Sequence, residues 1–93
     1  MTSRRQDTAA TAIEAVLGSF DLALAAERKS RATRSSYLTA VRQFVAFTEA
    51  HARPTTIEAV RREDVAAFVV DLLARWKPTT AHNRYRGLHA FFG

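Results

Sequence analysis

The sequence contains no cysteine, only three glycines and only two prolines among its 93 residues. Without cysteine it has no disulfide framework, no thiolate metal site and no thiol nucleophile. No apolar run approaches the roughly 20 residues that a membrane-spanning helix requires. The first residues include two arginines but lack the long apolar stretch of a signal peptide. We therefore expect a cytoplasmic protein, and the scarcity of turn-forming residues favours helices.

Active-site patterns are also absent from the sequence. Apolar residues make up 47% of the chain, which is enough for one small core but not for a core with a deep enzyme cleft. There is no glycine-rich phosphate loop and no catalytic triad. The histidines, at positions 51, 82 and 89, do not have the spacing of metal ligands. We predict no catalytic residue, no metal and no cofactor.

Positive charge is abundant and unevenly distributed. Fourteen Lys and Arg residues outweigh nine acids, for a net charge of +5. Two windows have basic residues and no acid, one from Arg28 to Arg42 and one after Asp71. Such windows indicate two parts of one electropositive face. The alternative is the ordinary solvated surface of a basic protein.

Four segments have the apolar spacing of amphipathic helices, and none has the alternation of a strand. The first runs from about Ile13 to Leu24, and Thr11 with Glu14 has capping-box spacing at its start. Asp7 and Thr8 are other candidate starts. We expect residues 1–10 to form a flexible tail and residues 11–93 to form the domain.

The other helices have clearer start signals. Ser30 is a good N-cap for the second helix, Glu63 and Asp64 suit the start of the third, and Pro78 suits the first position of the fourth. Residues 56–60 are a candidate short turn. The apolar faces predict a core formed by Tyr37, Val41, Phe44, Val65, Phe68, Leu72, Trp76, Tyr85, Leu88 and Phe92.

The stretch KSRATRSSYLTAVRQFVAF resembles the signature of the core-binding domain of tyrosine recombinases, the phage-integrase family. That signature has a Ser, two residues, a Thr, three residues, a Tyr, and then hydrophobic residues that lead to Phe-x-x-Phe. The corresponding residues here are Ser30, Thr33, Tyr37, Val41, Phe44 and Phe47. The last helix is similar to that of the same domain at Pro78, Thr80, Asn83, Arg84, Leu88, Phe91 and Phe92. Arg31 and Lys77 depart from the residues common in the family at those places.

The resemblance implies an all-α fold, a compact four-helix orthogonal bundle of the SAM-like kind. It also implies the DNA-binding N-terminal domain of a site-specific recombinase or integrase. In the family, a separate catalytic domain carries the tyrosine that attacks the DNA phosphate. We expect that domain to be absent here, so that this chain is not an enzyme although its parent breaks and rejoins DNA.

The implied partners are double-stranded DNA, the catalytic domain of the same parent chain and other recombinase protomers. The expected setting is the nucleoid of a bacterium, for a chain encoded by the bacterium or by a phage. By resemblance, the second and fourth helices meet the major groove, and the domain forms half of a clamp around the duplex. The catalytic domain forms the other half.

Specific DNA contacts are predicted on the polar faces of these two helices. Base or phosphate contacts are expected from Ser35, Thr39, Arg42, Thr79, Asn83 and Arg86. The starts of these helices combine hydroxyl groups with cations, so they can hold DNA phosphates. Helix capping alone would also favour such residues. Contacts to the DNA backbone are expected from Lys29, Arg31, Thr33, Lys77 and Thr80.

The alternative function is a helical protein–protein interaction module whose basic surface meets an acidic partner. The two hypotheses predict different surfaces. If the second and fourth helices lie side by side and their basic residues share one face, DNA is favoured. If the basic residues are scattered around the bundle, the interaction module is favoured.

Overall fold

Helices account for most of residues 11–93, the part of the chain that the structure, a computed structural model, describes. A 3-10 turn at Ile13–Val16 leads into α1 (Leu17–Ala26), which is followed by α2 (Arg31–Ala50), α3 (Arg62–Arg75) and α4 (Pro78–Phe92). Strand-like pairing in this range is limited to one isolated antiparallel bridge between Ala12 and Thr56. The predicted all-α fold is confirmed. The predicted tail, residues 1–10, lies outside the described residues.

Two predicted helix starts are confirmed. The Ser30 hydroxyl accepts a hydrogen bond from the Thr33 backbone N–H at 3.1 Å, which caps α2. Pro78 occupies the start of α4, where its missing N–H has no helical partner to lose. At the start of α3, the Asp64 carboxylate accepts from the Arg61 backbone N–H at 2.8 Å. The predicted turn over residues 56–60 is also present, because the Ala59 and Val60 N–H groups donate to the Thr56 carbonyl.

The capping box predicted for Thr11 and Glu14 is wrong. The Thr11 backbone N–H instead donates to the Glu58 carboxylate at 2.8 Å. The segment is tied to the loop before α3, since the Ile13 N–H donates to the Thr55 carbonyl at 3.1 Å and the Ile57 N–H to the Thr11 carbonyl at 2.9 Å. These long-range hydrogen bonds replace a local cap. The other candidate starts, Asp7 and Thr8, lie outside the described residues.

Two turns use a left-handed backbone without glycine. Arg28 follows α1 with a φ of 64°, and Ala52 follows α2 with a φ of 56°. After Arg28, the Lys29 N–H donates back to the Leu24 carbonyl at 3.0 Å, which closes the C-terminus of α1. The turns after α1 and α2 therefore place non-glycine residues in a left-handed conformation that is strained for them.

The core lies among the four helices and is rich in aromatic rings. Phe44 and Phe68 are fully buried and pack edge to face, with ring centroids 5.5 Å apart. The core prediction is confirmed for Val41, Phe44, Phe68, Leu72 and Leu88. The predicted core residues that are only half-buried are Tyr37, Val65 and Phe92.

The prediction is wrong for Trp76 and Tyr85, which are 53% and 44% exposed. Trp76 lies beyond the last residue of α3 and has an extended backbone, with φ −130° and ψ 169°. Because its backbone is not helical, the helical period does not predict its direction, and its side chain does not continue the buried apolar face of α3 that ends at Leu72. Tyr85 lies on the flank of α4 that lines an open groove with α3.

Candidate functional site

The site is built on α2 and α4, whose mutual packing is the most extensive in the fold. Gly87 lies where they touch. A Cβ added at Gly87 would approach the Cβ of Ala40 to 2.7 Å and the Cα of Tyr37 to 3.2 Å. Glycine is needed at this position because the α2 backbone leaves no room for a side chain. Farther along, the Arg84 guanidinium Nε donates to the Gln43 side-chain oxygen at 2.7 Å and links the two helices at the surface.

A cleft of about 370 Å³ opens beside this contact. Its lining side chains are polar or basic, apart from one alanine, and none is a carboxylate; we call it the basic cleft, lined by Lys29, Ala32, Thr33, Ser36, Tyr37, Asn83 and Arg86. The N-terminal turns of α2 form one wall, and the polar side of α4 forms the other. Hydroxyl groups, an amide and two cations therefore converge on one opening.

The two cations of the basic cleft have no ion-pair partner among residues 11–93, in contrast to three other arginines. Arg34 pairs with Asp21, Arg53 with Asp64 and Arg75 with Asp71. Because Lys29 and Arg86 are not neutralised in this way, the basic cleft carries positive charge that is available to a ligand.

The outer side of α2 has a different electrostatic environment. The Arg34 guanidinium donates two hydrogen bonds to Asp21 on α1, and these lower the pKa of the Asp21 carboxyl below its usual value. The charge of Arg42 makes the smallest contribution to the same lowering of the Asp21 pKa. Arg34, one of the basic residues in the first acid-free window, is therefore already paired with an acid.

The two helix starts that were predicted to hold phosphate also differ. At α2, the Ser30 hydroxyl is engaged with the backbone N–H and the hydroxyl of Thr33. At α4, no side chain caps the helix, and Lys77 is exposed beside the first turn. The N-terminus of α4 therefore keeps its positive end accessible, as anion binding requires.

The predicted site residues fall into two groups. Lys29, Thr33, Asn83 and Arg86 come together around the basic cleft. The others lie outside it; of these Thr39 and Thr80 are half-buried, whereas the exposed ones are Arg31, Ser35, Arg42, Lys77 and Thr79. The α4 residues that were predicted on its polar face are exposed, namely Thr79, Asn83 and Arg86.

Sequence reasoning missed Ser36 and misjudged Tyr37. Ser36 lies one turn after Thr33 and lines the basic cleft, a spacing that could have identified it once α4 was known to pack on this side of α2. Tyr37 was assigned wholly to the core, but it is only half-buried and also lines the basic cleft.

Metal-ligand groups and membrane-spanning helices are two further features to consider in the described part of the chain. Within residues 11–93, no group of three His, Cys, Asp or Glu side chains is placed to hold a metal ion. None of the helices in this same range combines the length and apolar composition of a membrane crossing.

The fold is that of a small all-α domain in which two closely packed helices border a basic cleft. Residues 16–93 match the family model described as "Phage integrase, N-terminal SAM-like domain", and the chain belongs to that family. The resemblance to tyrosine recombinases drawn from the sequence is thereby confirmed, and the chain is a recombinase-associated domain. No curated protein and no solved structure gave a significant match.

Proposed function

We propose that this domain binds duplex DNA through the face formed by α2 and α4. The observation that carries the proposal is the basic cleft, where Lys29 and Arg86 meet hydroxyl and amide groups with no carboxylate between them. Duplex DNA presents closely spaced phosphates, and unpaired cations on one face are what such a surface attracts. Membership of the phage integrase family supports the same ligand.

Phosphate contacts are assigned to cations and helix starts. Lys29 and Arg31 flank the start of α2, and Lys77 lies at the uncapped start of α4. Lysine provides a flexible point charge, which suits the DNA backbone rather than a particular base. The hydroxyls of Thr33 and Thr80 are placed on the first turns of the same helices, where they add hydrogen-bond donors for phosphate oxygens.

Base contacts are assigned to the exposed side of α4. Asn83 has a donor and an acceptor on one amide, which is the pair that adenine requires in the major groove, and Arg86 can donate twice to guanine. Both side chains are exposed and border the basic cleft. On α2, Ser35, Thr39 and Arg42 are the further candidates, and Thr79 is the further candidate on α4.

The domain is proposed to act together with other parts of a recombinase. Its family is that of the N-terminal domain of phage integrases, so we assign strand cleavage to a catalytic domain and duplex holding to this one. The two domains would enclose the duplex as two halves of a clamp. Further recombinase protomers would bind the second DNA site that takes part in recombination. The alternative, a protein–protein interaction module, would use the same basic surface to meet an acidic partner.

A fluorescence-anisotropy titration of the 93-residue chain with a labelled duplex tests the proposal. Binding should be weak, with a Kd on the order of 10⁻⁴–10⁻⁶ M at physiological salt, and its logarithm should vary linearly with the logarithm of the salt concentration. Arg86→Gln should lower the magnitude of that slope by roughly one unit, since it removes one phosphate or base contact. Arg61→Gln removes the same charge from the exposed start of α3 and serves as the matched control.

Two results would contradict the proposal. One is an affinity that does not respond to salt, because the electrostatic origin would then be wrong. The other is an equal loss for Arg86→Gln and Arg61→Gln, because the DNA would then respond to net charge rather than to the face built by α2 and α4. A slope change confined to Arg86→Gln supports it.

A further inference from the structure

One arginine on α4 is held in place without being neutralised. The Arg84 guanidinium Nε donates to the Gln43 side-chain oxygen at 2.7 Å, and Arg84 has no ion-pair partner among residues 11–93. The other guanidinium groups that a side chain orients in this range are held by carboxylates, as Arg34 is held by Asp21. A carboxylate cancels the charge that it orients, whereas the neutral amide of Gln43 fixes the direction of Arg84 and leaves its charge intact.

The surroundings of this pair contain almost no acid. Helix α4 has no Asp or Glu, and the only acid of α2 is Glu49, near the end of that helix. The depression beside the pair, which Gln43 also lines, contains one carboxylate, that of Asp71. Arg75 already binds this carboxylate at 2.6 Å. The positive charge of Arg84 is therefore left for a ligand.

The pair lies on the seam between α2 and α4. The two helices touch at Ala40 and Gly87. Gln43 follows Ala40 by about one helical turn on α2, and Arg84 comes about one turn before Gly87 on α4. The basic cleft opens in the opposite direction along the seam, beside Tyr37. The pair therefore extends the positive surface of the proposed DNA face beyond the basic cleft.

Residues already proposed to contact DNA surround the pair on both helices. Thr80 comes about one turn before Arg84, whose direct neighbour in sequence is Asn83. On α2, Thr39 comes about one turn before Gln43. A protein surface in the major groove meets base edges within the groove and phosphates along the borders of the groove. Because the pair lies in the middle of the face and not at a helix start, its position favours a base edge.

The free part of the Arg84 side chain is suited to one base. Its Nε is used by Gln43, so the two terminal nitrogens form the free edge of the guanidinium. In the major groove, only guanine presents two acceptors, O6 and N7, side by side. Adenine presents one acceptor and one donor, and thymine presents a single acceptor. Two parallel N–H donors therefore match guanine.

We propose that Arg84 reads a guanine in the major groove and that Gln43 is the residue that positions it. The proposal rests on the DNA-binding function proposed above and adds to it a residue for base discrimination. An arginine that is ordered only on binding loses side-chain entropy at that moment. The bond to Gln43 orders Arg84 before DNA arrives, so less entropy is lost in the complex.

The positioning role of Gln43 is tested without DNA. In the isotope-labelled 93-residue chain, the heteronuclear NOE of the Arg84 Nε–H reports how rigid that group is on the picosecond-to-nanosecond timescale. The Arg84 Nε–H should be rigid in the wild type and mobile in Gln43→Ala. The Nε–H of Arg34, which Asp21 holds at 2.9 Å, is the internal control and should stay rigid in both proteins. An Arg84 Nε–H that is equally rigid in both, or mobile in both, overturns the role of Gln43.

The base contact is tested by selection from a randomised duplex library on the immobilised 93-residue chain, followed by sequencing of the retained DNA. The wild type should enrich guanine at one position by about fivefold or more. Arg84→Gln should lose that preference, because Gln lacks the pair of donors. Gln43→Ala should weaken it. Arg61→Gln removes the same charge from the exposed start of α3 and, as the matched control, should keep the preference.

The outcomes separate this proposal from the proposed function. A guanine preference that survives Arg84→Gln overturns the base contact, and so does an equal loss of affinity for all sequences, which would assign Arg84 to phosphate. A preference that Gln43→Ala leaves at wild-type strength overturns the positioning role. A wild type that binds duplex without a guanine preference overturns this proposal alone, whereas one that binds no duplex overturns the proposed function as well. Circular dichroism establishes that each variant is folded, as expected because the pair lies at the surface.

Discussion

The two flanks of α4 differ in both chemistry and packing. Toward α2, the helices touch at Gly87, and the surface beside them is the basic cleft with Asn83 and Arg86. Toward α3, an open groove lined mainly by apolar side chains exposes part of Tyr85. One amphipathic helix thus supports two surfaces of opposite character. DNA is the proposed ligand of the first flank only.

The largest effect should come from the core beneath both flanks. Phe68 is 1% exposed and packs against Phe44 and Phe47, with ring centroids 5.5 Å away in each case. Phe68→Ala should lower the free energy of unfolding by about 3–5 kcal/mol, measured by thermal or urea denaturation. Val70→Ala, at an exposed position two residues later, should change it by less than about 1 kcal/mol. Similar losses for both variants would contradict the assignment of the core.

A smaller loss of stability is expected from a substitution that disturbs only the flank of α4 facing α2. Gly87→Ala places a Cβ 2.7 Å from that of Ala40, which has no flexible side chain to move, and overpacking of this kind costs about 1–3 kcal/mol. The variant should also weaken DNA binding, because it forces α2 and α4 apart at the basic cleft. Gly18→Ala, where a Cβ meets nothing within 4 Å, is the matched control and should leave stability unchanged or raised by up to about 1 kcal/mol. A Gly87→Ala protein as stable as wild type would refute the close contact.

The helix starts and the all-α fold could be predicted because their causes are local. Ser30 caps its own helix, and Pro78 fixes its own φ. The start of the first helical segment could not be predicted, because Thr11, which precedes the 3-10 turn, is held by Glu58, a residue 47 positions away. Trp76 and Tyr85 were misassigned for a related reason. A helical period gives the direction of a side chain, but not where the helix ends or how closely a neighbouring helix approaches.

The candidate site was predictable only in part. The polar face of α4 follows from its period, so Asn83 and Arg86 could be found. Which side of α2 faces α4 depends on the Ala40–Gly87 contact, so Ser36 was missed, while Arg42 does not line the basic cleft. Two acid-free windows in the sequence do not distinguish arginines that are neutralised, such as Arg34, from those that stay free.

A still smaller change in the free energy of unfolding is expected from removing the charge of Asp64 at the start of α3. Burial opposes ionisation of Asp64, but the hydrogen bonds from the Arg61 N–H and from the Arg53 guanidinium outweigh it and hold the pKa of Asp64 below its ordinary value. A lowered carboxyl pKa stabilises the folded state at neutral pH, and that stabilisation is lost as the pH falls below about 4 toward the folded-state pKa.

Asp64→Asn should therefore lower the free energy of unfolding by about 1 kcal/mol at pH 7, a modest value because Arg53 is partly solvated. The difference from wild type should close as the pH falls below about 4. Urea denaturation across a pH series measures it. A difference that persists unchanged at low pH would show that the Asp64 charge is not its cause.

The most direct test of the account is an NMR titration of the chain with duplex DNA, because it reports which flank of α4 meets the ligand. Asn83 is the sole asparagine of the sequence, so its side-chain amide gives one identifiable pair of signals. The account predicts that the Asn83 amide and the backbone signals of Ser36 and Arg86 shift as duplex is added, while those of Val70 and Leu73 do not. Shifts at Val70 and Leu73 without shifts at Asn83 would contradict it.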